Sequence, residues 1–188
     1  MWTGATHPTL WGHVGIAWNH EGIGFTVLPS PDPALTWDRL CSHVRAKVLK
    51  GSLPASWREA WRCWERGDEG PLCCLPLAGL EKRSFQPRIW LALRTIPRGQ
   101  VRSYSWIAAR AGSPQGARAA GQALAANPLP LLLPCHRIVR ASGQLGGFSG
   151  RWGRVELKEQ LLTWEGVQIK NGRVKFNCIE DGAVHSDG

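Results

Sequence analysis

At 188 residues, 43% of them hydrophobic, the chain has room for one or two domains with a proper buried core, the make-up of a globular protein. No stretch reaches the roughly 18 apolar residues of a membrane span, and the start Met1-Trp2-Thr3-Gly4-Ala5-Thr6-His7 has no basic region leading into an apolar one. An intracellular location is therefore expected, cytoplasmic in a prokaryote and nuclear in a eukaryote. The net charge of +9 sits wholly in residues 81–188, with sixteen Lys/Arg against seven Asp/Glu, while residues 1–80 balance at seven of each. Between Lys82 and Lys158 the only acid is Glu156. Such a segment is either a solvated basic surface or the face presented to a polyanion, and its one-sidedness favours nucleic acid.

Taken in chain order, Val14–Trp18 and Ile23–Leu28 around Asn19-His20-Glu21-Gly22 predict a hairpin. Asp32 then Pro33 is a helix cap followed by a first-turn proline. Trp37, Leu40, Cys41, Val44 and Val48 keep helical spacing from there up to Gly51. A second short helix is expected at Ala55–Arg66. Gly67-Asp68-Glu69-Gly70-Pro71 and Leu75–Arg83 read as loop and linker. A boundary near Leu80 follows, giving a small N-terminal α/β domain (1–80), a mainly helical second domain (81–170) and a C-terminal tail (171–188), an α+β protein as a whole. The cysteines Cys41, Cys63, Cys73, Cys74, Cys135 and Cys178 form neither a dense scaffold nor a C-x-x-C pair. They read as free thiols, and neither a metal site nor a cofactor is expected.

In the second domain Ser84 caps a helix carrying Ile89, Trp90 and Leu93, closed by Ile96-Pro97-Arg98-Gly99. Ser103 caps Tyr104–Ala111, Gly112 breaks it, and Ser113-Pro114 opens a helix over Gln115–Ala126 that Asn127-Pro128 halts. Two short helices joined by a glycine-bearing turn predict helix-turn-helix geometry. The second is nearly all small: Gly116, Ala117, Ala119, Ala120, Gly121, Ala123, Ala125 and Ala126 leave Arg118 as its one long charged side chain. Such a helix either packs tightly in a core or faces DNA, and the basic surroundings favour DNA. Further on, Gly143, Gly146, Gly147, Gly150 and Gly153 surround Phe148-Ser149 in a loop whose N–H groups can approach a ligand closely. Val155–Leu162 reads as the last helix with Glu165 just past its end, Asn171-Gly172 as a hairpin turn, and the final residues as disordered.

The most informative run is Leu131-Leu132-Leu133-Pro134-Cys135-His136-Arg137-Ile138-Val139, where adjacent cysteine and histidine interrupt an apolar stretch. The pattern predicts a strand or extended segment in a core. Its thiol is either an inert core residue with a raised pKa or a thiolate nucleophile held by His136 and Arg137.

The region from Phe85 to Gly166 resembles the O6-alkylguanine-DNA alkyltransferases, also called methylated-DNA–protein-cysteine methyltransferases. The resemblance rests on Phe85-Gln86…Trp90, Ile96-Pro97-x-Gly99, Ser103-Tyr104, Ala117-Arg118-Ala119-Ala120-Gly121, Asn127-Pro128, Pro134-Cys135-His136-Arg137-Ile138, Gly147-Phe148-Ser149-Gly150 and Leu161-Leu162-x-x-Glu165-Gly166. The first domain is similar in style to the family's N-terminal domain, which is RNase H-like. The resemblance implies that Cys135 accepts an alkyl group from O6 of guanine in double-stranded DNA, once, as a monomer. His136 would take the thiol proton through a water, Glu165 would orient the imidazole, Asn127 would hydrogen-bond near the thiol, and Tyr104 would donate to the leaving guanine. Arg118 would fill the gap left by a flipped base. Ala117, Ala119 and Gly121, with Tyr104 and Arg137, would meet the DNA. Gly147, Phe148 and the Ser149 N–H would line the substrate pocket, and the carbonyls of Cys135 and Ile138 would recognise the exocyclic amine.

Two departures stand out. Phe148 stands where many relatives carry tyrosine, and no Cys/Cys/His/His set matches the zinc ligands that some relatives hold in the first domain. The eleven tryptophans are assigned mostly to cores. Three other readings are weighed. Cys135 argues against a lesion binder lacking the acceptor thiol. One long side chain among alanines offers too few base-reading groups for a transcription factor. A Cys-His-Glu amide hydrolase would turn over repeatedly.

Overall fold

The computed structural model describes residues 1–81, 84–148 and 154–175. The chain divides into two compact units: Met1–Leu80 with Pro128–Leu132, and Glu81–Asn127 with Leu133–Gly188.

The first unit is built on a four-stranded sheet of order β3-β2-β1-β4, from β1 (Trp2–Thr9), β2 (Gly12–Trp18), β3 (Ile23–Ser30) and β4 (Val48–Lys50). β1 and β2 pair antiparallel with Thr3 opposite Trp18 and Thr9 opposite Gly12, whereas β4 runs parallel to Trp2–Gly4. The hairpin turn closes on Asn19, whose side-chain oxygen accepts from the N–H groups of Glu21 and Gly22. Helix α1 (Pro33–Val44) starts where Asp32 accepts from the Ala34 N–H. Alternation along the strands gives each face its own helix. Ala17 packs with Leu40 and Val44 of α1, beside Trp2, Phe25, Val27, Trp37 and Val48. Gly15 makes the close approach possible, since a Cβ there would stand 2.6 Å from Val27 Cγ2 and 3.3 Å from both Leu40 and Thr36. On the opposite face, helix α2 (Ala55–Glu65) brings Trp57 to 5.9 Å from Trp18 and Trp61 to 6.4 Å from His7, and Trp64 stacks with Trp11 and Trp61. Seven tryptophans are thereby absorbed by one sheet and its two helices.

Several expectations are corrected. β1 is a full strand that the sequence pattern hides, because Gly4, Ala5 and Pro8 dilute its alternation. The first helix ends at Val44 rather than Gly51: Arg45 turns left-handed (φ 53°) and Val48–Lys50 leave as a strand. Gly70 and Pro71, read as loop, open a short helix, α3 (Gly70–Cys73). Pro128–Leu132 belong with the first unit, where the Thr26 N–H and hydroxyl donate to the carbonyls of Pro128 and Pro130.

The second unit packs α4 (Phe85–Leu93), α5 (Tyr104–Arg110) and α6 (Ala117–Ala125), with the Trp90 indole N–H donating to the Ala123 carbonyl at 2.7 Å. Ser103 Oγ caps α5 by accepting from the Trp106 N–H. α6 begins two residues later than expected, because the Gly116 N–H bonds to the Ser113 carbonyl and closes Ser113–Gly116 into a turn. The Cys135 run is no extended strand. Residues Cys135–Arg137 form one 3₁₀ turn, and only Ile138–Val139 (β6) are extended, pairing parallel with Arg102–Ser103 (β5). Helix α7 (Val155–Trp164) follows, then a hairpin of β7 (Ile169–Lys170) and β8 (Arg173–Val174). That hairpin spans the expected boundary at 170/171, and Val174 is buried with Val101, Val139, Leu145, Leu162 and Val167. Among the described residues no helix is long and apolar enough to cross a membrane.

Leu40 is wholly buried beneath the sheet. Leu40→Ala is expected to cost about 2–5 kcal/mol, read as a lower urea midpoint with the slope unchanged.

Candidate active site

Cys135 opens its 3₁₀ turn after Pro134, its N–H donating to the Leu133 carbonyl at 2.7 Å. Asn127 anchors the same carbonyl through Nδ2 at 2.9 Å. The thiol residue is 8% exposed and borders a cavity of about 120 Å³, with Tyr104, Gly121, Leu124, Ala125, Gly147 and Phe148 as the other walls. Tyr104 sits close to two glycines: a Cβ at Gly146, itself at φ +70°, would stand 2.9 Å from the phenol oxygen, and one at Gly121 would be 3.7 Å from the ring. Phe148 closes the other side, its ring 6.3 Å from that of His136 and nearly perpendicular to it.

His136 and Arg137 both turn inward onto one acid. His136 Nε2 lies 2.9 Å from Glu165 Oε1, and the Arg137 guanidinium donates to Glu165 from Nε (3.2 and 3.0 Å) and Nη2 (2.8 Å). Its remaining amino group, Nη1, donates to the Ile96 carbonyl at 2.7 Å. Burial alone would raise the Glu165 carboxyl, but His136 and Arg137 beside it hold it well below the ordinary range. Because an ionised carboxylate only accepts, His136 carries its proton on Nε2. Nδ1, buried and without a protein partner among the described residues, is left as the basic nitrogen. Burial lowers the His136 pKa, Glu165 opposes this, and Arg137 and Lys158 lower it further. The resting imidazole is neutral.

Burial also pushes the Cys135 thiol up, while a hydrogen bond from Asn127 and the charge of Lys158 pull it down. Lys158 is the residue that the sequence reading missed. It is completely buried on α7, and its ammonium donates to the carbonyls of Ile138 (2.6 Å), Leu145 (2.5 Å) and Gly147 (3.3 Å). Desolvation takes it from 10.5 to about 8. The signal was present: Lys158 falls in the apolar stripe of Leu157, Leu161 and Leu162, where a solvated lysine does not belong.

The structure gathers Cys135, Tyr104, Gly121, Gly147 and Phe148 around one cavity, with Asn127, His136 and Glu165 behind the thiol. It does not bring Ile138 to the lining; that residue's carbonyl is taken up by Lys158. Arg137 is corrected outright. The residue is 3% exposed, and its guanidinium is turned inward onto Glu165 and the Ile96 carbonyl as a counter-ion to the acid, not outward as a DNA-facing side chain would be. Ser149 lies outside the described residues, as do Gly150 and Gly153. Arg118 and Ala119 are exposed on α6 on one face with Gln122 and Ala125, while Ala117 and Gly121 are half-buried.

A small cavity ending in a buried thiol, with a His–Glu pair behind it, in an α+β chain, defines a protein built around one cysteine. Residues 84–167 match the family model described as 6-O-methylguanine DNA methyltransferase, DNA binding domain. The methylated-DNA–protein-cysteine methyltransferase of Mycolicibacterium paratuberculosis is 47% identical over 151 residues, covering 76% of this chain and 87% of the relative. The rat protein of that name is 40% identical over 60% of this chain, and the Mycobacterium leprae one 49% over 47%. The chain spans about half the length of these two, 54% and 55%. Among solved structures, Mycobacterium tuberculosis O6-methylguanine methyltransferase aligns with TM-score 0.64 at 29% identity, over 88% of this chain and 93% of that one. The same organism's protein in complex with DNA gives TM-score 0.64 at 28% identity, over 87% and 93%. The chain belongs to the methylated-DNA–protein-cysteine methyltransferase family.

Glu165 sets a pH dependence. Its folded pKa is depressed below the ordinary 4.5, so its stabilisation is whole above that value and is lost as pH falls through the lower folded value. Glu165→Gln is expected to be less stable at neutral pH and to lose less stability on acidification below 4.5 than the parent, measured by urea unfolding across pH.

Proposed function

We propose that the chain repairs DNA by direct reversal, moving an alkyl group from O6 of guanine in duplex DNA onto Cys135 in a single turnover, as a monomer and without a cofactor. The observation that carries the reading is the placement of the Cys135 thiol at a cavity between Tyr104 and Phe148, with a neutral His136 and an ionised Glu165 behind it. At rest the thiol keeps its proton, because burial outweighs Asn127 and Lys158. Transfer therefore needs a base, and His136 Nδ1 takes the proton through a water while Glu165 steadies the imidazolium formed. The thiolate electron pair attacks the alkyl carbon, the C–S bond forms as the C–O6 bond breaks, and guanine leaves as its anion. Tyr104, whose pKa burial raises, keeps its proton at neutral pH and donates a hydrogen bond from it to a ring nitrogen of the leaving base. The thioether is not cleaved by water, so the protein is consumed.

A base inside a duplex cannot reach this thiol and has to be flipped out, at a cost of about a few kcal/mol. We read α5, the turn at Gly112 and α6 as a helix-turn-helix whose second helix enters the minor groove. Its exposed face of Arg118, Ala119, Gln122 and Ala125 is low apart from two side chains, and Arg118 fills the space of the flipped base. The first unit, a sheet with a helix on each face, fits the RNase H-like domain of the family. The protein would act where the genome is, in the nucleus of a eukaryote or the cytoplasm of a prokaryote.

The test is an intact mass after incubation with a duplex containing O6-methylguanine. One added methyl per protein, mapped to Cys135, is expected, with Cys135→Ser binding the duplex and gaining nothing. More than one repaired guanine per protein, or label chiefly on another cysteine, defeats the reading. Arg118→Ala is expected to slow repair of the duplex while leaving transfer from a free benzylated guanine near the parent rate. Equal losses on the two substrates would remove Arg118 from the flipping step.

A further inference from the structure

We propose that Arg98 is a positioning residue for the His136–Glu165 pair, acting through Trp164 at the end of α7; the proposal rests on the alkyl-transfer reading above. One turn, residues 96–100, grips the buried charges from three points. The Ile96 carbonyl accepts from Arg137 Nη1 at 2.7 Å, and the Gly99 N–H points at Glu165 Oε2 from 3.5 Å. Between them Arg98 lays its guanidinium over the Trp164 ring, 3.7 Å from the centroid, and donates from Nη2 to the Trp164 carbonyl at 2.9 Å. The turn is closed by the Gln100 N–H on the Pro97 carbonyl, and Gly99, at φ +77°, lies so close that a Cβ there would meet the Glu165 carbonyl at 3.0 Å.

That carbonyl of Trp164 belongs to the last turn of α7, where carbonyls have no partner within the helix and a cation is favoured by the helix dipole. It is also the peptide unit from which Glu165 hangs. One guanidinium holds both the Trp164 carbonyl, by a hydrogen bond, and the Trp164 ring, by lying over it, which leaves the carboxylate little freedom to drift from Nε2, and the 2.9 Å contact is what lets Glu165 charge-stabilise the imidazolium. Arg98 touches neither the cavity nor the thiol. Lysine in its place keeps a donor and the charge at the helix end but cannot stack as a plane.

The charged groups acting on His136 are Glu165 from the end of α7, Lys158 from its middle, and Arg137 from its own turn. Glu165 alone raises the imidazole, while Arg137 and Lys158 lower it. Loosening Glu165 therefore moves the acid limb of the transfer rate, where His136 must be neutral, to lower pH.

The experiment measures single-turnover transfer from an O6-methylguanine duplex against pH, with active protein counted by the final methyl stoichiometry. Arg98→Met is expected to slow transfer about tenfold, to shift the acid limb downward, and to leave stoichiometry and DNA affinity unchanged. Arg98→Lys is expected to recover part of the rate and carries the test if the methionine variant does not fold. In a Glu165→Gln background Arg98→Met should add no further loss, since the group it positions is gone. A lower yield of active protein with the parent pH profile and rate, or the same loss in both backgrounds, makes Arg98 merely structural and overturns the proposal. Absence of transfer by the parent protein instead brings down the alkyl-transfer reading, and this proposal with it.

Discussion

Everything in the second unit is arranged around one buried carboxylate. Glu165 has no exposed side-chain surface, and an ionised group in such a place is tolerated only when opposite charge and hydrogen bonds replace water. Arg137 supplies the charge and three of the hydrogen bonds, from its Nε and Nη2, and His136 a fourth. Removing either charged partner from a buried pair costs about 3–5 kcal/mol, so the fold depends on Arg137 and Glu165 keeping each other. That constraint dictates local geometry. To bring His136 and Arg137 to the same acid, successive side chains must point inward from one tight turn, which a 3₁₀ turn does and an extended strand, with side chains on alternate faces, does not.

The thiol at the head of that turn is under opposing pressures. Burial works against ionisation, whereas Lys158 and Asn127 work for it. Lys158 is held in the interior by three carbonyls, two of them at Leu145 and Gly147 in the glycine-bearing segment that walls the cavity. One ammonium thus shapes the pocket and biases the ionisation of its thiol. The balance keeps the thiol protonated at rest, with a neutral imidazole next to it in sequence.

Much of this was legible in the sequence where local chemistry speaks for itself. Asp32-Pro33, Ser103 and the Asn19–Gly22 turn gave their elements because capping and turn chemistry act within four residues. Cys135, His136 and Glu165 came as a set, through the resemblance and the order of motifs around them. Arg137 misled for a physical reason: a cation in a basic segment reads as surface until its distant acid, 28 residues on, is seen to be its partner. β1 was hidden because a strand interior built from Gly4 and Ala5 owes its place to the helix that lies against it, and nothing within the strand announces that helix. The apolar stripe of α7 marks Lys158 as buried, but its partners were not legible because they are backbone carbonyls, which carry no residue identity for a sequence to display.

The small residues near the cavity follow from the same economy of space. Gly146 lies beside the Tyr104 hydroxyl, where a Cβ would stand only 2.9 Å from the phenol oxygen, whereas a Cβ at Gly121 would make ordinary contact with the ring at 3.7 Å. Ala125 and Leu124 complete the wall on the α6 side, and the outward face of that helix is likewise low. One helix therefore supplies both a wall of the cavity and a thin exterior, and the two demands coincide at alanine and glycine: a bulky residue facing inward would fill the cavity, and one facing outward would hold any broad partner away from its mouth. The α6 wall of the cavity at Cys135 is thus set by what the helix omits at Gly121 and Ala125, and the charge of its outward face by the single arginine that it keeps, Arg118.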